Sequence, residues 1–373
     1  MSRDNNTLAV QVIGTLAHGG AETVMHAACT GLSGRVEGLR FRILALCEAD
    51  AFARRFEEAG IPVDCLHGDP RRPLRLLAGT MRYLREHRPA IVHTHLAYGD
   101  RFGQPASFLT GIGTRVSTLH NVKRDRTACE RLTNRMTGRL AHAIVAVSES
   151  LRDTWISERG MPPKKLRVIY NSIPDPGMPR GGRRPGPHGR PPRLVCIANM
   201  RPVKGLVHAV DAMPRIAREH PGATLDIFGA DTGGHGDTLR ERIRRGQLAE
   251  CVFLKGPTAS AQAVLAAYDM ALVPSLSEGF SIVVVEALAA GVPVIASDIA
   301  VHREILEDGH YGLIARVGDP SAIADAVNTL CADPDIYAAL ARGGAERARK
   351  YSRERMIAGY ADLYRELAWR GGR

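Results

Sequence analysis

The sequence is poor in aromatic residues, in lysine and in closely spaced cysteines. Aromatic residues make up only 5% of the 373 residues, so a base-stacking platform for nucleic acid is not expected. The seven cysteines are scattered singly, without a C-x-x-C spacing, which argues against a disulfide framework and a structural zinc site. No window offers the roughly 18 uninterrupted apolar residues of a membrane-spanning helix, and the N-terminal apolar run is too short for a signal peptide. We therefore expect a cytoplasmic protein.

Acidic residues are scarce relative to basic ones, and the net charge of +11 is unevenly placed. Residues 1–177 contain 25 lysines and arginines against 17 acids, and residues 178–193 add five arginines and no acid. Arginine outnumbers lysine 44 to 6, which is typical of a biased genome composition and weakens any argument from arginine alone. The basic part of the protein is the first half of the chain with the segment that follows it.

A basic amphipathic segment lies in this first half. Residues 74–88, LRLLAGTMRYLREHR, combine several arginines with an apolar stripe at helical spacing, namely Leu74, Leu77, Met81 and Leu84. We favour a helix that packs on its own sheet with its arginines in water. Peripheral contact with an anionic membrane, on its inner face, is the alternative.

Short β-rich runs alternate with helical patterns through most of the chain. The strand candidates are LAVQVIG (8–14), RFRILALC (40–47), AIVHTH (90–95), RVSTLH (115–120), AIVAVS (143–148), LVCIAN (194–199), TLDIFGA (224–230), CVFLKG (251–256), MALVPS (270–275) and PVIASD (293–298). Continuous apolar strands separated by helices predict an α/β fold with parallel sheets covered on both faces.

The alternation stops at residues 174–193, which are too rich in proline and glycine for regular structure, and it restarts at residue 194. We therefore predict four segments: a first domain at 1–177, a linker at 178–193, a second domain at 194–355 and a final helix at 356–373.

The first loop, GTLAHGGAE (14–22), joins a predicted strand to a predicted helix. It contains neither a G-x-G-x-x-G fingerprint nor the lysine of a phosphate-binding P-loop. Gly19 and Gly20 precede a helix N-terminus, where free N–H groups can face an anion. A tight turn without a ligand is the simpler alternative.

A second loop, IANMRPVKG (197–205), brings Arg201 and Lys204 between a predicted strand and a predicted helix. Two cations there could bind phosphates, and two solvated charges are the alternative.

Histidines end two of the predicted strands. His120 ends RVSTLH, at the edge where open parallel sheets bind ligands, although a structural role is common for a lone histidine. His93 and His95 also lie at a strand end. A metal site there is disfavoured because no cluster of acids accompanies these two histidines.

The stretch from 277 to 298, SEGFSIVVVEALAAGVPVIASD, places two carboxylates in an apolar run. Glu278 and Gly279 are predicted to form a turn after a strand, and a helix that ends at Gly291 should follow. The N–H groups at the start of this helix would form an anion site, and they belong to Phe280, Ser281, Ile282 and Val283.

Burying an ionised carboxylate costs several kcal/mol unless it is paired, so Glu286, inside this helix, needs a partner. A nucleotide-sugar diphosphate fits the site. Its ribose hydroxyls would bind Glu286, and its sugar would bind Glu278.

A series of short motifs along the chain matches a known family. In family order the chain contains HGGAE (18–22), VHTHL (92–96), STLHN (117–121), AVSES (146–150), VIYNSI (168–173), the lysine loop, FLKGP (253–257) and the E-x7-E segment through DIAVHREIL (298–306). The chain resembles family 4 glycosyltransferases, which are retaining enzymes. The resemblance implies the GT-B fold, two Rossmann-like domains with parallel sheets facing a central cleft. It also implies an acceptor-side first domain, a donor-binding second domain and a final helix that crosses back to the first.

The resemblance also implies roles for single residues. Gly19 and Gly20 would approach the donor phosphates, His120 would contact the transferred sugar, and Lys204 would neutralise the diphosphate. Glu278 would bind sugar hydroxyls.

Glu286, in the same segment, would hold the ribose. The sequence departs from the family pattern at two positions. Asn199 stands where the family commonly has an arginine, so Arg201 would have to supply that cation, and Ser281 replaces a frequent glycine.

These observations together predict a hexosyltransferase of glycan biosynthesis. It would move a hexose-type sugar from a nucleotide-diphosphate donor to the hydroxyl of a glycan, a lipid-linked glycan or a small natural product, and the resemblance implies retention of configuration. His120, Lys204 and Glu278 form the expected catalytic set. We expect that no metal or other cofactor is required, because cationic side chains would neutralise the diphosphate in place of a metal ion. The only D-x-D in the sequence, at 333–335, fits a helix start better than a metal site. A nucleotide-sugar epimerase of the same fold is the alternative.

Overall fold

The computed structural model describes residues 7–17, 19–50, 52–122, 127–173, 186–231, 233–258 and 260–370, with side chains described up to residue 367. The chain divides into two compact units. Unit 1 consists of Met1–Ser172 together with Arg353–Arg373, and unit 2 consists of Ile173–Ser352. Much of the linker predicted at 178–193 lies outside the described residues.

The described part of unit 1 contains one parallel sheet of seven strands, in the order β3-β2-β1-β4-β5-β6-β7. The strands are β1 (Thr7–Leu16), β2 (Leu39–Ala49), β3 (Val63–Cys65), β4 (Ile91–His95), β5 (Thr114–Leu119), β6 (Ala143–Ala146) and β7 (Leu166–Val168). The helices are α1 (Gly20–Ser33), α2 (Phe52–Glu58), α3 (Pro73–His87), α4 (Leu96–Leu109), α5 (Ala128–Leu140), α6 (Glu149–Arg159) and, from the end of the chain, α14 (Arg353–Arg370).

One face of this sheet is covered by α3 and α4. Helix α3 contributes Leu76, Tyr83 and Leu84 to the apolar core, with Leu77 packed beside them. The predicted apolar stripe was therefore wrong at its first position, because Leu74 is 80% exposed while Leu76 is buried. The helix nevertheless packs on its own sheet, as we favoured.

Helices α1 and α14 pack against each other within unit 1. A β-carbon on Gly31 of α1 would lie 2.1 Å from Cδ1 of Ile357 in α14, so the absence of a side chain at position 31 permits this close approach. The last helix of the chain is in this way part of the first unit. Among the described residues, no helix combines the length and the apolar character needed to cross a membrane.

The described part of unit 2 contains a second parallel sheet, of six strands in the order β10-β9-β8-β11-β12-β13. The strands are β8 (Arg193–Ile197), β9 (Thr224–Phe228), β10 (Val252–Gly256), β11 (Met270–Val273), β12 (Val294–Ser297) and β13 (Leu313–Ala315). The helices are α7 (Leu206–Glu219), α8 (His235–Arg245), α9 (Ala261–Leu265), α10 (Ile282–Ala289), α11 (Ala300–Leu306), α12 (Pro320–Ala332) and α13 (Pro334–Ala348).

The strand order of unit 2 reverses between β8 and β11, which are hydrogen-bonded neighbours. The loops that leave these two strands therefore diverge at the carboxyl edge of the sheet. Ligands of open α/β sheets bind in the crevice at such a point. The two parallel sheets confirm the predicted fold class.

Candidate active site

The loop after β8 is held against the loop after β11. Gly205 adopts φ +61°, and a β-carbon on it would lie 2.1 Å from the carbonyl oxygen of Pro274. The N–H of Leu276 donates to the carbonyl oxygen of Val203 at 2.8 Å. Only glycine tolerates both this φ and this contact, so the backbone places Lys204 directly beside the second loop.

Lys204 and Glu278, which are 74 positions apart in sequence, form an ion pair at this edge. The Nζ of Lys204 lies 2.6 Å from Oε1 of Glu278, and the hydroxyl of Ser275 donates to the same oxygen at 2.9 Å. The side chains of Lys204 and Glu278 are 26% and 12% exposed. The structure thus brings together two of the predicted site residues, and a ligand could reach both.

Glu286 has no such partner among the described residues. It lies half-buried in α10, and its carboxylate makes no hydrogen bond or ion pair with the residues that the structure describes. Burial raises the pKa of the Glu286 carboxyl from 4.5 to about 7. Helix α10 therefore carries a carboxylate that is costly to ionise until a hydrogen-bond donor is supplied.

The N-terminus of α10 has a second uncompensated group. Ser281 occupies the N-cap position but does not cap the helix, and within the described part of the chain its buried hydroxyl has no hydrogen-bond partner. Ser281 and the first-turn residues Ile282 and Val283 therefore lie at a helix terminus where no described side chain caps the N–H groups. Gly279 lies at a bend, and Phe280 follows it in the loop that leads into this terminus.

His302, in α11, is a member of the site that the sequence reasoning missed. Its Nδ1–H donates to the carbonyl oxygen of Ser297 at 2.8 Å, so in the neutral ring Nε2 carries no proton. His302 is fully buried, and no described residue bonds to Nε2. Burial lowers the pKa of His302, and the charge of Glu278 acts in the opposite direction. The histidine in DIAVHREIL was the available signal, since a polar residue there interrupts an apolar helix face.

Arg201 and Asn199 lie in the loop before Lys204. Arg201 is exposed, and its side chain has no ion-pair partner among the described residues, so it is available to a ligand. The side chain of Asn199 accepts a hydrogen bond from the N–H of Ala230 at 3.2 Å. Asn199 therefore stabilises the loop from the position where the family commonly has an arginine.

The D-x-D at 333–335 is a helix start, as predicted. The carboxylate of Asp333 accepts hydrogen bonds from the N–H groups of Asp335 and Ile336, both at 2.9 Å, and so caps α13.

In unit 1, Gly20 begins α1 and Gly19 precedes it in an extended conformation. A β-carbon on Gly19 would lie 2.5 Å from Oε2 of Glu22, a buried residue in the first turn of α1. The N-terminus of α1 therefore already has an acid beside it, which weakens the case for a phosphate there. The phosphate-binding role of Gly19 and Gly20 stays a prediction.

His120 follows β5 and is half-buried. Its Nε2 lies 3.1 Å from Nδ1 of His95, and the rings of His95 and His93 stack with centroids 4.4 Å apart. Burial lowers the pKa of His120 from 6.5 to about 4, so the ring is neutral at physiological pH. The ring nitrogens of His93 and His95 are all engaged in hydrogen bonds rather than directed at a shared point where a metal could bind.

Comparison with known proteins identifies the family. The family described as Glycosyltransferase Family 4 matches residues 18–175, and the family described as Glycosyl transferases group 1 matches residues 191–333. An exopolysaccharide phosphotransferase of Streptomyces coelicolor is 30% identical over 61% of this chain and 24% of its own length. The D-inositol 3-phosphate glycosyltransferase of Acidothermus cellulolyticus is 27% identical over 74% of this chain and 67% of its own length. The chain thus spans only about a quarter of the first relative and two thirds of the second.

Among solved structures, HepE of Anabaena, in complex with UDP and glucose, has a TM-score of 0.83 to this chain. It is 21% identical, and the match covers 96% of this chain and 99% of HepE. At that identity the likeness establishes the fold. The two family matches cover most of the chain, and the protein therefore belongs to the family 4, or group 1, glycosyltransferases and has the GT-B fold.

Proposed function

We propose that the protein is a retaining hexosyltransferase that moves a sugar from a nucleotide-diphosphate donor to an acceptor hydroxyl. The main observation behind the proposal is the Lys204–Glu278 ion pair at the carboxyl edge of the unit 2 sheet, where the strand order reverses between β8 and β11. The Glu286 carboxylate, which has no partner among the described residues, is nearby in sequence on α10. Two similarities support it: the Acidothermus relative is named as a glycosyltransferase, and HepE was solved with UDP and glucose.

Lys204 would stabilise the leaving diphosphate. Its ammonium lies at the carboxyl edge of the sheet, already partly desolvated, where a cation interacts more strongly with phosphate than it would in water. Arg201, exposed in the same loop, would add a second cation. The N–H groups at the start of α10 would bind the same anion.

Glu278 would bind hydroxyls of the transferred sugar. The hydrogen bond from Ser275 and the ion pair with Lys204 both use Oε1, and Oε2 has no partner among the described residues. A sugar hydroxyl could donate to Oε2 without breaking either contact. Glu278 would in this way contact both the sugar and Lys204, the residue that would stabilise the negative charge of the diphosphate.

Glu286 would accept hydrogen bonds from the ribose hydroxyls. Such bonds stabilise the ionised carboxylate, whose pKa of about 7 in the free protein would fall on binding. Donor affinity should then rise with pH up to about 7 and level off above it.

Retention of the anomeric configuration and independence of a metal ion are the more specific parts of the proposal. They rest on the resemblance to a retaining family, in which the acceptor attacks from the same face and the leaving phosphate takes the acceptor proton. His120, from unit 1, would contact the transferred sugar. A chelator should leave turnover intact, whereas a loss of activity that Mg²⁺ or Mn²⁺ restores would contradict metal independence.

Donor binding is the first experiment. Titration calorimetry against UDP, GDP, ADP and dTDP sugars should identify a ligand, and Glu286→Ala should weaken its binding by about 1.5–3 kcal/mol. Glu278→Gln should instead lower turnover more than binding. Glu250→Ala, an exposed residue just before the amino end of β10, is the matched control and should change neither. Wild-type kinetics in both site variants would refute the site.

A nucleotide-sugar epimerase, the alternative of the same fold, is not supported by the relatives described above. Incubating the identified donor without acceptor tests it directly, because an epimerase would isomerise the free donor and a transferase would not.

Peripheral contact with an anionic membrane is a separate part of the proposal. Leu74 is 80% exposed at the start of α3, and the arginines at 71, 72 and 75 beside it are exposed as well. An apolar side chain among cations fits the surface of an anionic bilayer. Binding to anionic but not neutral vesicles, reduced in Leu74→Ser and unchanged in the exposed control Leu109→Ser, would support it. Equal binding to both vesicle types, or to neither, would refute it.

A further inference from the structure

A chain of buried polar side chains crosses the face of the unit 1 sheet that α1 and α14 cover. Gln11 lies in the middle of β1 and is opposite His93 of β4 in the strand register. Gln11, His93 and His95 are 2%, 2% and 3% exposed. Burying such polar groups costs free energy unless each is hydrogen-bonded, so each of them is expected to have a hydrogen-bond partner.

The hydrogen bonds run from the last helix of the chain to His120. The hydroxyl of Tyr364, in α14, lies 2.6 Å from Nδ1 of His93 and accepts a bond from the amide nitrogen of Gln11 at 3.0 Å. The amide oxygen of Gln11 lies 2.7 Å from Nε2 of His95. The Nδ1 of His95 lies 3.1 Å from Nε2 of His120.

The orientation of the Gln11 amide determines where each proton lies. Because the Gln11 oxygen can only accept, Nε2 of His95 carries the proton, and Nδ1 of a neutral His95 must then be an acceptor. His120 therefore donates from Nε2, and its Nδ1 is left unprotonated. No residue that the structure describes bonds to Nδ1 of His120, so this acceptor is available to a ligand.

The surroundings keep these rings neutral. Burial lowers the pKa of His95 well below 6.5 and that of His93 to about 3. The other titratable groups that line this region also remain uncharged, because burial raises the pKa of each of them: Cys29, Tyr360 and Tyr364.

We propose that Gln11 and His95 are positioning residues that hold His120 with its proton on Nε2, so that Nδ1 accepts a hydrogen bond from a hydroxyl of the transferred sugar. Tyr364 orients the Gln11 amide, and α14 thereby takes part in setting the chemistry of His120. The inference rests on the proposed function for the identity of the ligand, but the position of the proton does not depend on it.

The proton position is measurable in the free protein. In the full chain labelled with ¹⁵N-histidine, two-dimensional ¹⁵N–¹H spectra separate the two neutral tautomers, and the His120 signals are assigned by their loss in His120→Gln. We expect a proton on Nε2 and none on Nδ1 between pH 6 and 8. A proton on Nδ1, or a cationic ring in that range, overturns the inference.

Two conservative variants of α14 test the role of the chain. Tyr364→Phe removes the acceptor that orients Gln11, so we expect mixed tautomers of His120 and a fall in kcat of about tenfold, the worth of one hydrogen bond. Tyr360→Phe is the matched control, because among the described residues the Tyr360 hydroxyl lies 3.4 Å from Thr118, on the His93 side of Tyr364, and makes no bond to Gln11, His95 or His120. An unchanged His120 spectrum in Tyr364→Phe, or an equal loss of kcat in both variants, overturns the inference.

Gln11→Glu tests the same chain of hydrogen bonds at a residue in its middle. A carboxylate beside His95 favours its cationic form, whose Nδ1–H would donate to His120 and move the His120 proton to Nδ1. We expect that change in the spectrum, together with a loss of kcat that exceeds the change in KM for the donor. A His120 proton that stays on Nε2 contradicts the proposed path. Absent turnover in the wild type would instead count against the proposed function, so the two failures are distinguishable.

Discussion

Replacing Glu286 by glutamine should make the ligand-free protein more stable while weakening its binding of the donor. The carboxyl has a pKa raised by burial from 4.5 to about 7, which means that the fold disfavours its ionised form. Each pKa unit corresponds to about 1.4 kcal/mol, so ionised Glu286 costs the folded state up to about 3 kcal/mol. Glutamine has the shape of the protonated acid and does not ionise.

The gain should depend on pH in a defined direction. Because the folded pKa lies above the unfolded one, the stability contributed by Glu286 is fully present below pH 4.5 and is lost as pH rises through about 7. The wild type and Glu286→Gln should therefore unfold alike near pH 4.5. The variant should be more stable by up to about 3 kcal/mol at pH 8, which is a large share of the stability of an ordinary domain.

Urea unfolding followed by circular dichroism at pH 4.5 and pH 8 measures the difference. Hydrogen exchange of peptides from α10 assigns the transition to unit 2. Glu278→Gln is the matched control, because Glu278 is paired with Lys204 and its neutralisation should lower stability instead of raising it. Two glutamates eight positions apart should thus respond with opposite signs.

Two results would refute this reasoning about Glu286. Equal stability of the wild type and Glu286→Gln at pH 8 would show that the carboxylate is already compensated in the free protein. A gain of the same size at pH 4.5 and pH 8 would show that the effect is not electrostatic.

Three further predictions follow from particular contacts. Gly205→Ala should destabilise unit 2 by at least about 1–2 kcal/mol, because it combines a left-handed φ with a contact on the Pro274 carbonyl, and an unchanged melting temperature would contradict this. Lys204→Ala should reduce kcat about 100-fold through lost stabilisation of the leaving diphosphate, and a change confined to KM would assign it to ground-state binding instead. His93 and His95 are neutral in the fold, so stability should be lost as pH falls from 6.5 towards 3. His93, whose pKa is lowered by burial to about 3, should account for about 2 kcal/mol of this loss at pH 5, and His95 should act in the same direction; urea unfolding that is equal at pH 7.5 and pH 5 would show that these rings are charged in the fold.

The predicted strands all occur, and the strands that were missed share one property. β3, β7 and β13 are each three residues long and lie at edges of the two sheets. Three residues are too few to establish an alternating or continuous apolar pattern, so these strands depend on a neighbouring strand for their hydrogen bonds. Longer strands carry their own signal, because their apolar residues must be buried whatever their neighbours are.

In the candidate site, too, some features follow from local sequence patterns and others depend on the packed structure. The apolar run around Glu286 and the glycine before α7 are local patterns, and they were sufficient to predict a helix, a loop and a carboxylate that needs a partner. His302 was missed because its importance lies in a ring nitrogen to which no described residue bonds, and only the packed structure shows this.

The sequence by itself determined two parallel α/β units, the family and the residue types of the candidate site. The tertiary structure decided which polar groups pair and which stay uncompensated. Lys204 meets Glu278 across 74 positions, and Gln11 meets Tyr364 across 353. The physical reason is that helices and strands follow from the burial pattern of neighbouring residues, whereas a buried polar side chain is satisfied by whatever group the strand order and helix packing bring to it.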